Sequence, residues 1–254
     1  MMIGMASVTM LDRFLTRYPR VDGYWLLDDP AARVEWEAEQ LRRRARESRL
    51  YTDPATLRLP EIAPGHVLER EWREHSEMLM RLSTHLSRLW RSLVILDVGC
   101  GNGWLSHRLA TVRNNYRVYG LDQDRRELKV AARVFIHQTR LRFLCADALT
   151  APLPEACVDI VVMAGSLHHM ADPAGMVERA LSWLAPNGEL HILETPFARR
   201  DQPAPTTTAV PWEVLAPHQP EVLYDPQSWA NRFAAWWRPE AAHMTWPWVK
   251  IARA

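Results

Sequence analysis

Runs of apolar residues alternate with helical patterns through the middle of this 254-residue chain. Residues 93–96 are all apolar, so neither face of a strand there is polar, which is typical of the buried centre of a parallel sheet. A turn rich in glycine follows, and a helical pattern begins at 104–110. Further strands are predicted at 117–121, 141–146, 158–162 and 189–194. This alternation predicts an α/β fold with a doubly wound, mostly parallel sheet.

The pattern before residue 90 is mostly helical, which predicts an N-terminal helical extension. Over 67–90, apolar residues and one histidine recur at steps of four and three, and this spacing places them on one face of a long helix. They are Leu68, Trp72, His75, Leu79, Leu82, Leu86 and Leu89. We interpret His75 as a hydrogen-bonded packing residue rather than a ligand. Residues 20–25, which include Tyr24 and Trp25, are interpreted as a loop.

Basic residues cluster at 42–44 and 46, inside another helical pattern. Glu39 is spaced to pair with Arg43 on this helix. An apolar stripe is predicted from Val34, Ala38, Leu41 and Ala45. The cluster is therefore interpreted as a solvated helix face rather than a surface for RNA or a phosphate-bearing partner.

The last part of the chain gives weaker patterns. The stretch 196–220 contains six prolines, too many for a central strand or a long helix, so it is either a mobile linker or a loop over the carboxyl edge of the sheet. Asp225 before Pro226 predicts a helix start, with Trp229, Phe233 and Trp237 on one helical face. A last strand is predicted at 243–252, near an edge because Pro247 interrupts it.

We therefore predict three segments. Residues 1–66 form the N-terminal helical extension, and residues 67–195 form the ligand-binding core. Residues 196–254 supply the proline-rich stretch, a helix and an edge strand that completes the sheet.

The turn after the first central strand carries the main chemical signal. It reads Asp97-Val98-Gly99-Cys100-Gly101-Asn102-Gly103. A glycine-rich turn between a strand and a helix lets the backbone approach a ligand and points free N–H groups at it. The dinucleotide fingerprint needs a third small residue where this chain has Trp104. A phosphate-binding loop would need Gly-Lys-Ser/Thr, which this turn lacks.

The remaining pattern, Asp-x-Gly-x-Gly-x-Gly, resembles motif I of the class I S-adenosylmethionine-dependent methyltransferases. Later residues follow in the order of that family. They are Asp122 at the end of the second strand, Asp147-Ala148 after the third, the Leu-Pro run at 153–154, Leu-His-His at 167–169, and the turn at 184–190 with Asn187 in place of a glycine. The resemblance covers about residues 90–196, and Asn187 is a mild departure because asparagine tolerates positive φ.

This resemblance implies a Rossmann-like methyltransferase fold and methyl transfer from S-adenosyl-L-methionine to an oxygen, nitrogen or carbon nucleophile, on a small molecule. It implies that Asp122 holds the cofactor ribose and that Asp147 and Ala148 contact the adenine. The full set of implied cofactor-binding residues is Asp97, Gly99, Cys100, Gly101, Asn102, Gly103, Asp122, Gln123, Asp147, Ala148 and Ala164. His168 is interpreted as a substrate-facing residue, and no catalytic base is assigned. Asp124 is interpreted as a helix cap and Asp159 as a structural residue.

Two other classes of function stay open. The chain could be a binding or scaffold subunit of the same fold without turnover. It could also be a nicotinamide-dependent oxidoreductase, although Trp104 in the turn and the lack of a Tyr-x-x-x-Lys pair disfavour that class.

Composition narrows the partners. The chain has 31 basic and 30 acidic residues and a net charge of +1, so it lacks the basic excess typical of nucleic-acid-binding domains. Cys100, Cys145 and Cys157 show no metal-ligand spacing, so no metal is expected, and a reducing, cytoplasmic compartment fits best. No apolar run approaches the roughly 20 residues that span a bilayer, so no membrane partner is expected.

Overall fold

The computed structural model describes residues 8–29, 31–198, 206, 208–228, 231–232 and 244–253. The strands in chain order are β1 Arg20–Val21, β2 Tyr24–Leu26, β3 Leu93–Val98, β4 Tyr116–Asp122, β5 Leu141–Cys145, β6 Val158–Ala164, β7 Leu184–Leu193, β8 Phe197–Ala198, β9 Val210–Pro211, β10 Glu221–Tyr224 and β11 Trp248–Ala252. The α-helices are α1 Met10–Leu15, α2 Val34–Arg46, α3 Asp53–Arg58, α4 Glu69–Ser87, α5 Trp104–Val112, α6 Arg125–Val134 and α7 Pro173–Trp183.

One nine-stranded sheet organises the described residues, in the order β1-β2-β5-β4-β3-β6-β7-β11-β10. The six strands from β2 to β7 in that order are parallel, and the remaining strands join in antiparallel pairing. The order reverses between β3 and β6, and such a switch point opens a crevice at the carboxyl ends of the strands. The predicted doubly wound, mostly parallel sheet is therefore confirmed.

Helices cover both faces of the sheet. Ile95 and Leu96 of β3 belong to different hydrophobic clusters because successive strand residues point to opposite faces. One cluster contains buried residues of α4, α5 and α6, and the other contains α1 and α7. The predicted apolar face of α4 is confirmed at Trp72, Leu82 and Leu86, and Met78 is buried as well.

Three local predictions from single residues are also confirmed. Asp124 caps α6, since its carboxylate accepts the N–H of Arg126 at 3.0 Å. Asp159 is structural, because its carboxylate accepts the N–H of Val94 at 2.8 Å. Asn187 adopts the expected positive φ of 60°.

The prediction of a loop at 20–25 is wrong. These residues form a hairpin of β1 and β2, with Asp22-Gly23 at the turn and φ values of 49° and 94°. Asp-Gly is a favoured hairpin turn because both positions accept positive φ. Strand β2 then pairs in parallel with β5, with Trp25 opposite Leu144, so the N-terminal region extends the sheet.

The other end of the sheet also differs from expectation. The last strand begins at Trp248 rather than at 243, and it pairs with β7 on one side and with β10 on the other. Strand β10, which the pattern does not reveal, is therefore the edge strand. Its first two residues are exposed, so it lacks the apolar run that marks the central strands.

The described part of 196–220 packs against the core. Strands β8 and β9 pair in parallel, and Val210 and Leu215 are buried. Residues 229–230 and 233–243 lie outside the described residues, and so do Trp229, Phe233 and Trp237 of the predicted helix. Within the described parts of the chain, no helix has both the length and the apolar character needed to cross a lipid bilayer.

Candidate functional site

The glycine turn lies at the switch point of the sheet. It leaves β3 between β4 and β6 and is tied to β4, because the N–H of Gly99 donates to the carbonyl of Leu121 at 2.8 Å. The turn then closes through the N–H of Gly103, which donates to the carbonyl of Cys100 at 3.0 Å. Helix α5 begins at the next residue, so the turn delivers the N-terminus of a helix to the crevice.

The three glycines of the turn have positive φ angles but different surroundings. A Cβ on Gly99 would lie 2.5 Å from the Cβ of Ser166, and one on Gly103 would lie 2.6 Å from the ring of Phe143. These two positions need glycine because the chain packs closely there. A Cβ on Gly101 would meet only the Glu127 carboxylate, at 3.6 Å. Close packing therefore does not explain the glycine at position 101, and its backbone is left free for a ligand to approach beside Glu127.

Asp97 brings a buried carboxyl group to the floor of the crevice. It is 2 % exposed and accepts a hydrogen bond from the hydroxyl of Ser106 at 2.5 Å. Burial raises the pKa of Asp97 to about 7, although the bond from Ser106 opposes the shift. A cationic group bound beside it would favour the charged carboxylate.

Asp122 lies at the tip of β4 and holds the turn. One oxygen accepts the N–H of Gly101 and the other accepts the N–H of Asp124, both at 2.8 Å. Burial raises the pKa of Asp122, while these two bonds oppose the rise. Each carboxylate oxygen has a second acceptor position, so the group can still receive two hydroxyl donors.

The third predicted contact point is at the end of β5. The Asp147 carboxylate accepts the N–H of Leu149 at 3.0 Å, and the Asp147 N–H donates to Asp28 at 3.0 Å. Asp28 also holds Arg33 through two bonds of 2.6 and 2.7 Å. The N-terminal segment therefore covers this end of the site, a contact that the sequence did not indicate.

A cavity of about 570 Å³ opens above the turn. It brings together seven residues predicted from the sequence, namely Asp97, Gly99, Cys100, Gly101, Asn102, Ala164 and His168. Gly103, Asp122, Gln123, Asp147 and Ala148 do not line it. Of these, Asp122 reaches the cavity wall through its bond to Gly101.

The N-terminal helices form the opposite wall, and helix α2 does so in a way that contradicts its predicted orientation. Val34 and Leu41 of the predicted apolar stripe are 53 % and 39 % exposed, whereas Glu37 is 3 % exposed. Glu37 accepts two bonds of 2.7 Å from the guanidinium of Arg125 at the start of α6. Helix α2 is therefore docked by charged contacts, which hydrophobic periodicity does not detect.

The basic cluster on α2 is also divided between solvent and cavity. Glu39 pairs with Arg42 and Arg46, at 2.9 and 3.2 Å, and not with Arg43 as predicted. Arg44 pairs instead with Asp124 and lies 3.4 Å from Glu127. Arg43 and Arg44 both line the cavity, so the interpretation of the whole cluster as a solvated face is wrong.

A charged cluster that the sequence did not reveal lies where α4 meets the end of β7. His75 Nδ1 is 2.5 Å from Glu194 Oε1, and His75 Nε2 is 3.1 Å from Glu71 Oε1. Burial alone would lower the pKa of His75, but the two carboxylates outweigh it and raise the pKa to about 9. His75 is therefore an imidazolium at neutral pH. It is hydrogen-bonded, as predicted, yet it also lines the cavity.

Aromatic rings surround this cluster. Trp72 contacts the rings of His75 and Trp104 edge-on, with centroids 4.8 and 5.2 Å apart. The Trp72 indole N–H donates to the hydroxyl of Tyr51 at 2.8 Å. Trp246 lines the same cavity from the C-terminal part of the chain. The helical spacing of α4 shows Trp72 and His75 on one face, but only the tertiary structure shows that this end of the face meets Glu194.

His168 is in the opposite protonation state. It lies in the short 3₁₀ turn Leu167–His169 after β6, with its ring 4.0 Å from that of His169. Burial, followed by the charges of His169 and Arg43, lowers the pKa of His168 to about 4. The imidazole is therefore neutral at pH 7 and can accept a proton.

A second histidine cluster, remote from the turn, has the residue types of a metal site. His85, Glu189 and His191 place ligand atoms within 4.8 Å of one another. However, the Trp248 indole N–H donates to His191 Nδ1 at 3.1 Å, which leaves the proton of the neutral ring on Nε2, facing Glu189. A metal-bound histidine normally donates its other N–H outward, so this arrangement is a hydrogen-bonded cluster rather than a prepared metal site.

Comparisons with known proteins agree with this geometry. The sequence model of a protein family described as a methyltransferase domain matches residues 96–192. The matched range begins in β3 and ends in β7, so it contains the turn, Asp122 and the 3₁₀ turn of His168. Over this range the chain is similar to a methyltransferase domain.

Two curated relatives show the extent of the similarity. The 27-O-demethylrifamycin SV methyltransferase of Amycolatopsis mediterranei is 32% identical over 131 residues, which cover 48% of each chain. A ubiquinone biosynthesis O-methyltransferase of Leptothrix cholodnii is 37% identical over 100 residues, or 38% of this chain and 41% of the relative. The chain thus spans about half the length of the curated relatives it matches.

A solved structure supports the fold over a wider range. Phosphoethanolamine N-methyltransferase 2 of Haemonchus contortus, in complex with S-adenosyl-L-methionine, has a TM-score of 0.53 and 14% identity. The match covers 80% of this chain and 57% of that chain. At this identity the similarity concerns the fold alone.

Proposed function

We propose that this protein transfers the methyl group of S-adenosylmethionine to a nucleophilic atom of a small molecule. The observation that carries the proposal is the turn at 99–103, which leaves the Gly101 backbone without close packing and is held by the Asp122 carboxylate. The proposal assigns Gly101 and the free acceptor positions of Asp122 to one ligand, at the switch point where ligands bind in doubly wound sheets.

Different residues would contact different parts of the bound cofactor. Asp122 would accept the ribose hydroxyls, while Gln123, Asp147 and Ala148 would contact the adenosine end. Asp97 would face the cationic methionine end. The turn residues Gly99, Cys100, Gly101, Asn102 and Gly103, together with Ala164, would supply close backbone contact. Bound S-adenosylmethionine supplies a methyl group already activated by its sulfonium charge, so the protein contributes mainly orientation and exclusion of water.

The acceptor side would include His168. Its imidazole is neutral at pH 7 and lines the cavity, so it can take the proton that an oxygen or nitrogen acceptor loses on methylation. Because the pKa of His168 lies well below pH 7, its contribution as a base would fall short of the roughly 10²–10⁴-fold of a base whose pKa is near the working pH. His75 cannot take this role at neutral pH, because both of its ring nitrogens are bonded to carboxylates in the imidazolium form.

A small-molecule acceptor is favoured over a polymer by charge and by the relatives. The net charge of +1 gives no basic surface excess for a nucleic acid. The names of two relatives indicate action on a rifamycin and in ubiquinone biosynthesis. A reducing, cytoplasmic setting belongs to the same proposal, and the three free buried cysteines support it.

The test uses two matched valine variants. Gly101→Val adds a branched side chain at a φ of 51°, beside Glu127 and on the backbone that the cofactor should approach. Gly65→Val imposes similar strain at a φ of 79°, with nothing within 4 Å of its Cβ, and Gly65 does not line the cavity. Calorimetry with S-adenosylhomocysteine should show binding by wild type and Gly65→Val and loss of binding by Gly101→Val. Equal affinity of all three would contradict the cofactor site.

Turnover is tested separately. Wild-type protein should transfer label from methyl-labelled S-adenosylmethionine to a component of a metabolite extract, and Gly101→Val should not. Binding of S-adenosylhomocysteine without any transfer would favour the scaffold subunit over the enzyme.

A further inference from the structure

Arg43 differs from the other arginines near the C-terminal end of α2. Arg42, Arg44, Arg46 and Arg49 each have a carboxylate partner within 4.0 Å. Among the residues that the structure describes, Arg43 has no such partner, and its Nε atom is buried without a hydrogen-bond acceptor. A buried donor without an acceptor costs about 1–3 kcal/mol, so this position is poor for the stability of the free protein.

Arg43 is also placed where its side chain can meet a ligand. Arg43 lines the cavity above the turn, on the wall contributed by α2. Within the described lining, His168 is the other residue that has a buried nitrogen without a partner, its Nδ1. The charge of Arg43 lowers the pKa of both His168 and His169, the two histidines of the 3₁₀ turn after β6.

Nearby carboxylates already have partners. Glu47, one turn after Arg43, is 3.0 Å from the guanidinium of Arg49. Glu71 is 2.5 Å from the same guanidinium, and Glu194 is 2.5 Å from His75. The protein therefore neutralises the other charges of this region internally and leaves the charge of Arg43 for another group.

We infer that Arg43 determines acceptor specificity by binding a carboxylate on the methyl acceptor. This inference rests on the proposed methyl transfer and names the acceptor class. A guanidinium matches a carboxylate through two parallel N–H···O bonds, so it fixes both the position and the orientation of the acceptor. A carboxylate held by Arg43 would place the rest of the acceptor beside the neutral imidazole of His168.

The test compares benzoate with benzamide, which share a ring and differ in charge. Each is titrated into the wild-type complex with S-adenosylhomocysteine and followed by ligand-observed NMR. Benzoate should bind more tightly than benzamide. Arg43→Gln should weaken benzoate binding by about tenfold or more and leave benzamide binding unchanged. Arg43→Lys should weaken benzoate binding less, because it keeps the charge and loses only the two-pronged geometry.

The control and the contrary outcomes separate this inference from the proposed function. Arg42→Gln removes an arginine on the same helix that is 63 % exposed and paired with Glu39, so it should not change benzoate binding. Failure of wild type to bind benzoate, or equal binding by Arg43→Gln, would overturn the inference while S-adenosylhomocysteine binding upholds the cofactor site. Weaker S-adenosylhomocysteine binding by Arg43→Gln would assign Arg43 to the cofactor carboxylate and would also overturn it.

Discussion

The role of Asp122 gives the sharpest test of the cofactor site. Both of its oxygens accept backbone N–H groups at 2.8 Å, from Gly101 and Asp124. An alanine at this position would leave both N–H groups without an acceptor and would disturb the turn itself. Asp122→Asn is the better change, since the amide keeps almost the same shape and one oxygen acceptor and leaves only one of the two backbone N–H groups without an acceptor.

The expected loss follows from the number and charge of the acceptors. The asparagine replaces one carboxylate oxygen by an NH₂ group, which cannot accept a ribose hydroxyl. A hydrogen bond to a charged group contributes about 1.5–3 kcal/mol, so the affinity for S-adenosylhomocysteine should fall about 10- to 150-fold. Calorimetry measures this directly, with circular dichroism as the check on folding.

A ligand change separates a direct contact from a disturbed turn. The same titrations are repeated with S-adenosylhomocysteine that lacks the ribose 2′-hydroxyl. If Asp122 accepts that hydroxyl, wild type should lose affinity for the deoxy ligand and Asp122→Asn should lose much less, because the bond is already gone. Equal losses for both proteins would refute the contact.

Asp124 provides the matched control two residues away. It is fully buried, caps α6 and pairs with Arg44. Asp124→Ala should therefore reduce the free energy of unfolding by about 0.5–2 kcal/mol for the cap and by more for the partly buried Arg44 that loses this partner, while the affinity for S-adenosylhomocysteine stays nearly intact. If Asp124→Ala lost affinity and Asp122→Asn lost only stability, the assignment of the ribose contact to Asp122 would fail.

Three further changes test the packing and charge of the site. Gly103→Ala should destabilise the fold, because its Cβ would lie 2.6 Å from the Phe143 ring at a φ of 77°; an unchanged melting temperature would contradict this packing. Glu37→Gln should reduce the free energy of unfolding by roughly 1–3 kcal/mol in urea titrations, since it weakens a buried partner of Arg125, and an effect near zero would show that α2 docks by other means. The pKa of His75 is raised from 6.5 to about 9, so its charge stabilises the fold fully below pH 6.5, and this contribution is lost as the pH rises through 9. The difference in unfolding free energy between wild type and His75→Gln should therefore shrink between pH 6 and pH 10. A constant difference would argue against a charged His75.

The central part of the fold could be predicted because its signals are local. An apolar run at β3, a glycine turn and a carboxylate at the end of β4 each occupy a few consecutive residues, and a parallel sheet brings the strand ends to one edge. The capping role of Asp124 is equally local, because the side chain bonds to the backbone of its own helix. Such features need no knowledge of what lies across the molecule.

The N-terminal wall of the cavity could not be predicted, because its contacts join residues that are far apart in the chain. Helix α2 buries Glu37 and exposes Leu41, so its orientation is set by carboxylate and guanidinium partners about ninety residues away in the chain. Hydrophobic periodicity has no information about such pairs. The short strands β1 and β10 were missed because strands of two to four residues contain too few positions for an alternating pattern to appear.

This contrast bears on which residues decide the chemistry. The residues proposed for the cofactor come from the strand ends and the glycine turn of the central sheet. The proposed acceptor side comprises Arg43 on α2, His75 on α4 and the 3₁₀ turn of His168, which line one cavity from three separate elements. A side chain on such a wall can change without disturbing the sheet, so acceptor choice can vary while cofactor binding is kept. Variants at Arg43 should therefore change which acceptor the protein binds, whereas variants at Gly101 should lower the affinity for the cofactor.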